Sequence, residues 1–323
     1  MTAWKETAAR RRALTILRSR PFLTVAIVAA VWIVASFVSR GFGAYGHLRY
    51  LVELAAVIGL VAAGQTFVVI AGGIDLSVAA IVTVSAVSLP LLSWQADPTG
   101  LTAVLAVLAL TTTIGLVNGL GVALLRVHPM IMTLAMATFL QGLLIIIAGG
   151  SAVTAENPLV RWLGNARPAG IPAGVLLWVA VSVIVLAAMH ATSFGARLFA
   201  MGANPLAATL SGVPFASTTL AVYGISGFTS GLAGVLVLGM NGQGYVGIGD
   251  PYLLASIAAV VLGGTSILGG LGTYAGTIPG AILLVTITAL ITVVNASPGW
   301  RSILFGSLIL GLLLLSGREQ ARR

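Results

Sequence analysis

The chain has no cysteine and a single lysine, Lys5. The first absence excludes disulfides, thiolate nucleophiles and Cys-ligated metals. The second excludes a G-x-x-x-x-G-K-[ST] phosphate loop, so any ATP that drives this protein is bound by another chain. His47, His128 and His190 are the only histidines. They stand far apart at the ends of apolar runs, without the convergence that a metal site or a catalytic triad needs. No two carboxylates fall within one helical turn. These gaps argue against an enzyme. Charged residues make up only 7% of the chain, against about 25% in a soluble domain.

What fills the sequence is apolar. Hydrophobic residues reach 59% and the mean hydropathy is +1.10. Such a chain cannot cover a water-facing surface and is read as an all-α integral membrane protein. The apolar runs are about 20 residues long and do not alternate, which fits helices and not a barrel. About ten spans are expected, near 22–39, 50–70, 76–94, 101–125, 130–149, 172–190, 215–239, 252–268, 273–294 and 300–316. They form a single transmembrane domain over 22–316, with a basic segment 1–21 before it and a short tail 317–323 after it.

The net charge of +9 is concentrated at the start, in Lys5, Arg10, Arg11, Arg12, Arg18 and Arg20. A basic cluster ahead of a first span reads as a cytoplasmic anchor and not as a nucleic-acid patch. The run from Pro21 to Ser39 has no small-residue cleavage site after it and is read as a retained span. Both termini are then cytoplasmic. Without the N-terminal cluster the basic residues of the loops balance across the two sides, so the orientation rests on that cluster.

Five polar-proline pairs, Asp97-Pro98, Asn157-Pro158, Asn204-Pro205, Asp250-Pro251 and Ser297-Pro298, each fit a helix start with the polar side chain as cap. Glu53 lies four residues after Arg49, the spacing of an ion pair on one helix face. That leaves Asp75 as the one intramembrane carboxylate, in "VVIAGGIDLSVAAIVTV". There Gly72-Gly73 breaks a span and Asp75 caps the next helix by accepting from amides two or three residues on, which tolerates a carboxylate in apolar surroundings. Ser77 can bond back to nearby backbone. The break is either a capped joint at the inner membrane face or a gate in the pathway. Gly263, Gly264, Thr265 and Ser266 pose the same choice, and "AVVLGG" around Val260 echoes "VVIAGG" at Val68, as in transporters built from repeats. Polar groups in or beside spans, Gln65, Asn118, Gln141, Asn241, Gln243 and Tyr245, are either interhelical hydrogen-bond partners or substrate contacts.

The loop over about 191–214 contains "GARLFAMGANPLAATLSGVPF". Its parse is a short helix of its own, with Asn204 as cap, Pro205 first, Gly212 as stop and Pro214 forbidding continuation. Two turns alone are unstable in water, so the helix packs on its own bundle, on lipid headgroups or on a partner. Here the sequence resembles the coupling helix of ATP-binding-cassette importer permeases, with pattern E-A-A-x-x-x-G: Ala207, Ala208 and Gly212 match, and Leu206 replaces the glutamate. "AMGANPLAATLSGV", "GGIDLSV" and "SIAAVVLGGTSILGGLGTYAGTIPGAIL" together are similar to the permeases of monosaccharide importers of the ribose, xylose, arabinose and galactose type. The likeness runs from about Leu51 to the C-terminus. It implies a coupling segment that includes Gly202, Asn204, Pro205, Leu206, Ala207, Ala208, Ser211 and Gly212, docked on a cytoplasmic ATPase that holds ATP and Mg. It also implies an extracytoplasmic sugar-binding protein and a second permease chain, identical or related. The same architecture serves other solutes, such as branched-chain amino acids, and an ion-driven secondary transporter is the rival of another class.

Overall fold

The computed structural model describes residues 20–39, 41–92, 97, 99–293, 297 and 299–320. The basic segment before Arg20, Arg40, and residues 321–323 of the tail lie outside the described residues, as do Pro98 and Pro298. The described chain is a helical bundle. In order it comprises α1 (Arg20–Val38), α2 (Tyr45–Ile70), α3 (Val78–Leu91), α4 (Leu101–Ala123), α5 (Pro129–Ala148), β1 (Val153–Thr154), α6 (Pro158–Asn165), a 3-10 turn (Pro168–Gly170), α7 (Ala173–His190), α8 (Ser193–Ala203), α9 (Pro205–Leu210), α10 (Phe215–Asn241), β2 (Gln243–Gly244), α11 (Pro251–Leu262), α12 (Tyr274–Val293) and α13 (Gly299–Gln320). Six of these, α2, α4, α5, α7, α10 and α12, are each long and apolar enough to cross a membrane.

Of these six, the two most enclosed are α2 and α10. They pack on each other, and between them they touch α3, α4, α6, α7, α11 and α12. Lipid tails are as apolar as leucine, so what holds such helices together is close packing and hydrogen bonding between them. Where α2 and α10 cross, a Cβ on Gly64 would stand 2.5 Å from the Ser226 Cα. Hydrogen bonds then tie the outer layer to this axis. Trp178 Nε1 on α7 donates to the Tyr274 hydroxyl on α12, and that hydroxyl donates to the Gly59 carbonyl of α2, each at 2.8 Å. Bonds of this kind contribute about 0.6–2 kcal/mol each in a membrane bundle.

All ten predicted spans are helical, but two are half-length. The expected span 76–94 is α3, 14 residues long, or about 21 Å, and 252–268 is α11, 12 residues long, or about 18 Å, against about 30 Å of hydrocarbon. The Gly263-Gly264 break cuts the second, while the first begins beyond Gly72-Gly73. Among the polar-proline pairs, Asn157 and Asn204 cap as expected, accepting from Val160 N and Ala207 N. Asp250 makes no side-chain cap bond; its backbone is helical, which aims the side chain away from the first amides. Asp97 does collect amides, from Thr99, Gly100 and Thr102, but α4 starts later, at Leu101. Hydrogen bonds, first that from the Thr102 hydroxyl, hold the Asp97 carboxyl well below the usual carboxylate range. Glu53 does not pair with Arg49. Its carboxylate faces Arg167 at 3.8 Å, while Arg49 lies over the Tyr45 ring.

A candidate coupling and gating site

The segment after α7 forms an elbow. Thr192 caps α8 by accepting from Gly195 N, and α8 lies along the last turns of α2: Phe194 meets the Phe67 ring, with centroids 5.8 Å apart, and Leu198 and Met201 are buried. Asn204 turns the chain into α9. At its far end Gly212, with φ +83, ends the helix in a Schellman motif, Gly212 N donating to the Thr209 carbonyl and Val213 N to the Ala208 carbonyl. Within α9 the faces differ sharply. Ala208 is 6% exposed, whereas Leu206 is 71% and Leu210 81% exposed. One side of the short helix thus packs on the bundle, and two leucines stand on the other with no neighbour to cover them.

The elbow bears on both glycine breaks. Ile70, the last residue of α2, accepts from Gly270 N at 2.9 Å. Gly202 presses on this bond from α8: a Cβ there would stand 1.8 Å from the Ile70 carbonyl oxygen and 2.6 Å from Gly270 N. A Cβ on Gly269 would lie 2.9 Å from the Gly202 carbonyl and 3.0 Å from the Gly72 Cα. Three separate stretches of sequence therefore meet backbone to backbone, and only glycine permits that approach.

The two breaks share one design. α2 stops with Gly72 N on the Val69 carbonyl and Gly73 N on the Val68 carbonyl; α11 stops with Gly264 N on Val261 and Thr265 N on Val260. Gly72 and Gly264 adopt φ +87 and +89, the left-handed C′ position of a Schellman motif. Val68 thus answers to Val260, and Gly72 to the second glycine of the later pair, a register one residue away from that of the matching letters.

Beyond Gly73 the chain climbs back into the bundle. Asp75 is not at the end of α2 but opposite Ser226, which is 11 residues into α10, about 16 Å from its start. Its carboxylate is fully buried. Oδ1 accepts from Ser77 N at 2.9 Å and Ser77 Oγ at 2.6 Å, and Oδ2 accepts from Ser226 Oγ at 2.7 Å. The residue that takes the cap position of α3 is Ser77, not Asp75. Ser77 Oγ donates to Asp75 in place of the backbone, and accepts from Asn118 Nδ2 of α4 at 2.8 Å. Around this chain sit buried polar atoms without a hydrogen-bond partner among the described residues, including Asn118 Oδ1 and the hydroxyls of Tyr223 and Ser230. The Tyr223 hydroxyl lies 2.9 Å from where a Gly73 Cβ would be.

Residues 48–313 match the family described as branched-chain amino acid transport system / permease component. The chain belongs to this family. Among relatives, the permease is 31% identical to the ribose import permease protein of Escherichia coli K12, over 98% of this chain and 99% of that protein. It is 31% identical to the L-arabinose transport system permease protein of the same organism, over 91% and 89%. It is 34% identical to the galactose/methyl galactoside import permease protein of Haemophilus influenzae, over 68% of each.

In the permease Gly202 of the coupling segment meets the first break at Gly72 through Ile70 and Gly269, whereas Asp75 and Ser77 lie deeper, on Ser226 and Asn118, and the six pathway candidates do not come together. Gln65 and Asn118 are buried in the bundle; both amide atoms of Gln65 lack a partner among the described residues. Gln141 is exposed on α5, and Asn241, Gln243 and Tyr245 are exposed around β2. Of the second break, Thr265 is buried and Ser266 N donates to the Leu271 carbonyl at 2.9 Å, closing a small loop. Sequence reasoning missed Tyr223 and Ser226. A signal existed for Ser226, since Gly224, Gly227 and Gly231 interleave with Ser226, Thr229 and Ser230 on α10 as in a small-residue seam.

Proposed function

We propose that this permease is the membrane subunit of an ATP-driven importer for a monosaccharide, a pentose or hexose handed over by an extracytoplasmic binding protein. The observation that carries the ATP-driven part is α9: a helix capped at both ends, packed through Ala208, with Leu206 and Leu210 exposed, and continuous with an elbow that bears on both helix breaks. ATP and Mg would be held by a separate cytoplasmic ATPase whose surface covers those leucines. Two permease chains would form the pathway, with the N- and C-termini on the ATPase side. The similarity to ribose, arabinose and galactose permeases over most of the chain supports a sugar as cargo.

The mechanical proposal follows from the contacts. A displacement of α9 is carried by α8, which is buried along one face, to Gly202 and so to the Ile70–Gly270 bond. The ends of α2 and of the loop after α11 then shift together. The half-helix α3 follows, because Asp75, Ser77, Asn118 and Ser226 link it to α4 and α10. Such a bundle has two arrangements between which the nucleotide state of the partner chooses.

The test is mass spectrometry of proteins that co-purify with the tagged chain from mildly solubilised membranes. An ATPase with a phosphate loop is the expected companion; a lone chain that transports in vesicles without ATP overturns the proposal. The family's description favours one rival cargo, branched-chain amino acids. Titration of the co-purified binding protein with sugars and with amino acids decides between the two.

A further inference from the structure

At the end of the bundle where α2 begins, a cavity of about 530 Å³ opens between α2, α11, α12 and α13. Most of its wall is apolar, with Leu51, Leu54, Val285 and Ala289 among the lining residues. Its polar groups are Arg301, His47, Thr288, Thr292 and the hydroxyls of Tyr50 and Tyr252. Among the described residues no carboxylate lines it. The nearest candidate on α2, Glu53, is engaged by Arg167.

Arg301 stands in the first turn of α13. Its NH2 donates to Thr292 Oγ1 at 2.8 Å, which is a neutral partner. Its Nε is buried and has no hydrogen-bond partner among the described residues, and the same holds for His47 Nε2. His47 is held in place by the Phe42 ring, with centroids 4.7 Å apart. A guanidinium turned into an apolar cavity with a buried N–H unanswered is costly to leave so. An anion with several acceptor oxygens answers such donors, and phosphate suits the planar donor fork of arginine. The apolar wall beside it adds a second requirement. A soluble phosphate would leave that wall bare, whereas a phospholipid would place its phosphate on Arg301 and the start of an acyl chain along α2 and α12.

We propose that this cavity binds one anionic phospholipid, with the headgroup phosphate on Arg301 and His47. The site lies away from the elbow and the breaks and does not depend on which solute is carried.

The experiment uses the purified full-length permease in micelles, stripped of lipid. Phosphatidylglycerol, phosphatidylcholine of the same chain length, or inorganic phosphate is added back. Native mass spectrometry then counts bound lipid, and thermal unfolding reports protection. One phosphatidylglycerol per chain should be retained, at about five-fold lower concentration than phosphatidylcholine, the ratio that about 1 kcal/mol for one basic contact to an anionic lipid implies. Arg301→Gln should erase that preference, and Arg301→Lys should keep part of it. Ala289→Phe fills the apolar wall and leaves Arg301 in place; it should lose the bound lipid as well, so the proposal does not depend on the folding of one variant. Equal retention of the two lipids by the wild-type chain overturns the proposal. So does a preference that survives in both Arg301→Gln and Ala289→Phe, or protection by inorganic phosphate equal to that by phosphatidylglycerol.

Discussion

Gly202 of α8 lies on the carbonyl of Ile70, the last residue of α2, so closely that an added methyl group would stand 1.8 Å from that oxygen. The neighbour is backbone and cannot swing aside. Gly202→Ala should therefore push the elbow off the two breaks and cost about 1–3 kcal/mol, as overpacking does. Uptake should fall well below the wild-type rate, with a lower melting temperature in micelles. A variant with normal uptake and normal melting would show that this contact carries no coupling.

Leu206 and Leu210 make the opposite prediction. Both are exposed, so Leu206→Glu and Leu210→Glu should leave melting unchanged to within about 0.5 kcal/mol. Recovery of the ATPase with the chain should be lost. Ala208→Glu is a poorer test of docking, because Ala208 is buried in the elbow and a carboxylate there unfolds it. Pull-down of the ATPase at wild-type yield by the double leucine variant would remove α9 from the interface.

Asp75 satisfies three donors at once. Asp75→Ala leaves Ser77 N, Ser77 Oγ and Ser226 Oγ without their acceptor, at about 1–3 kcal/mol for each donor that finds no other partner. Ser226→Ala removes one bond to the carboxyl group and should cost about 0.5–3 kcal/mol. In the double variant the two losses should be less than additive, since they share a bond. Strict additivity in chemical unfolding would mean that the Asp75–Ser226 bond does not form in the membrane.

The Glu53–Arg167 pair should respond asymmetrically. Arg167 is about half exposed and Glu53 nearly buried. Arg167→Gln strands a carboxylate in poor solvent, whereas Glu53→Gln leaves a guanidinium that water still reaches. Melting should therefore drop more for Arg167→Gln, and adding Glu53→Gln to it should restore most of the loss. Equal drops in the two single variants would contradict the burial difference.

How much of this was legible from residues alone depended on range. The α9 helix was, because Asn204 and Gly212 act within four residues of themselves. The ends of the breaks at Gly72 and Gly264 were legible for the same reason. The depth of Asp75 was not: it depends on an extended stretch from Gly73 to Leu76 that carries the chain back into the bundle, and nothing in the local pattern fixes that path. The partner of Glu53 was misread because a neighbour at helical spacing competed with a residue more than a hundred positions away. Arg49 was drawn off to the Tyr45 ring instead. That Gly202, Gly72 and Gly269 share one point was also invisible, since each glycine alone reads as an ordinary turn or seam.

The half-length helices also constrain how the protein is made. A 14-residue or 12-residue apolar helix does not cross a bilayer by itself, so α3 and α11 have no stable place until longer neighbours are inserted. The Asp75 carboxylate waits longest. Its partner Ser226 is separated from it by 151 residues, so a growing chain must carry that carboxylate without it through α3 to α9. Maturation of the N-terminal half is thus deferred until α10 arrives. A chain truncated before Phe215 should be cleared by membrane proteases as an orphan and not persist as a stable subdomain.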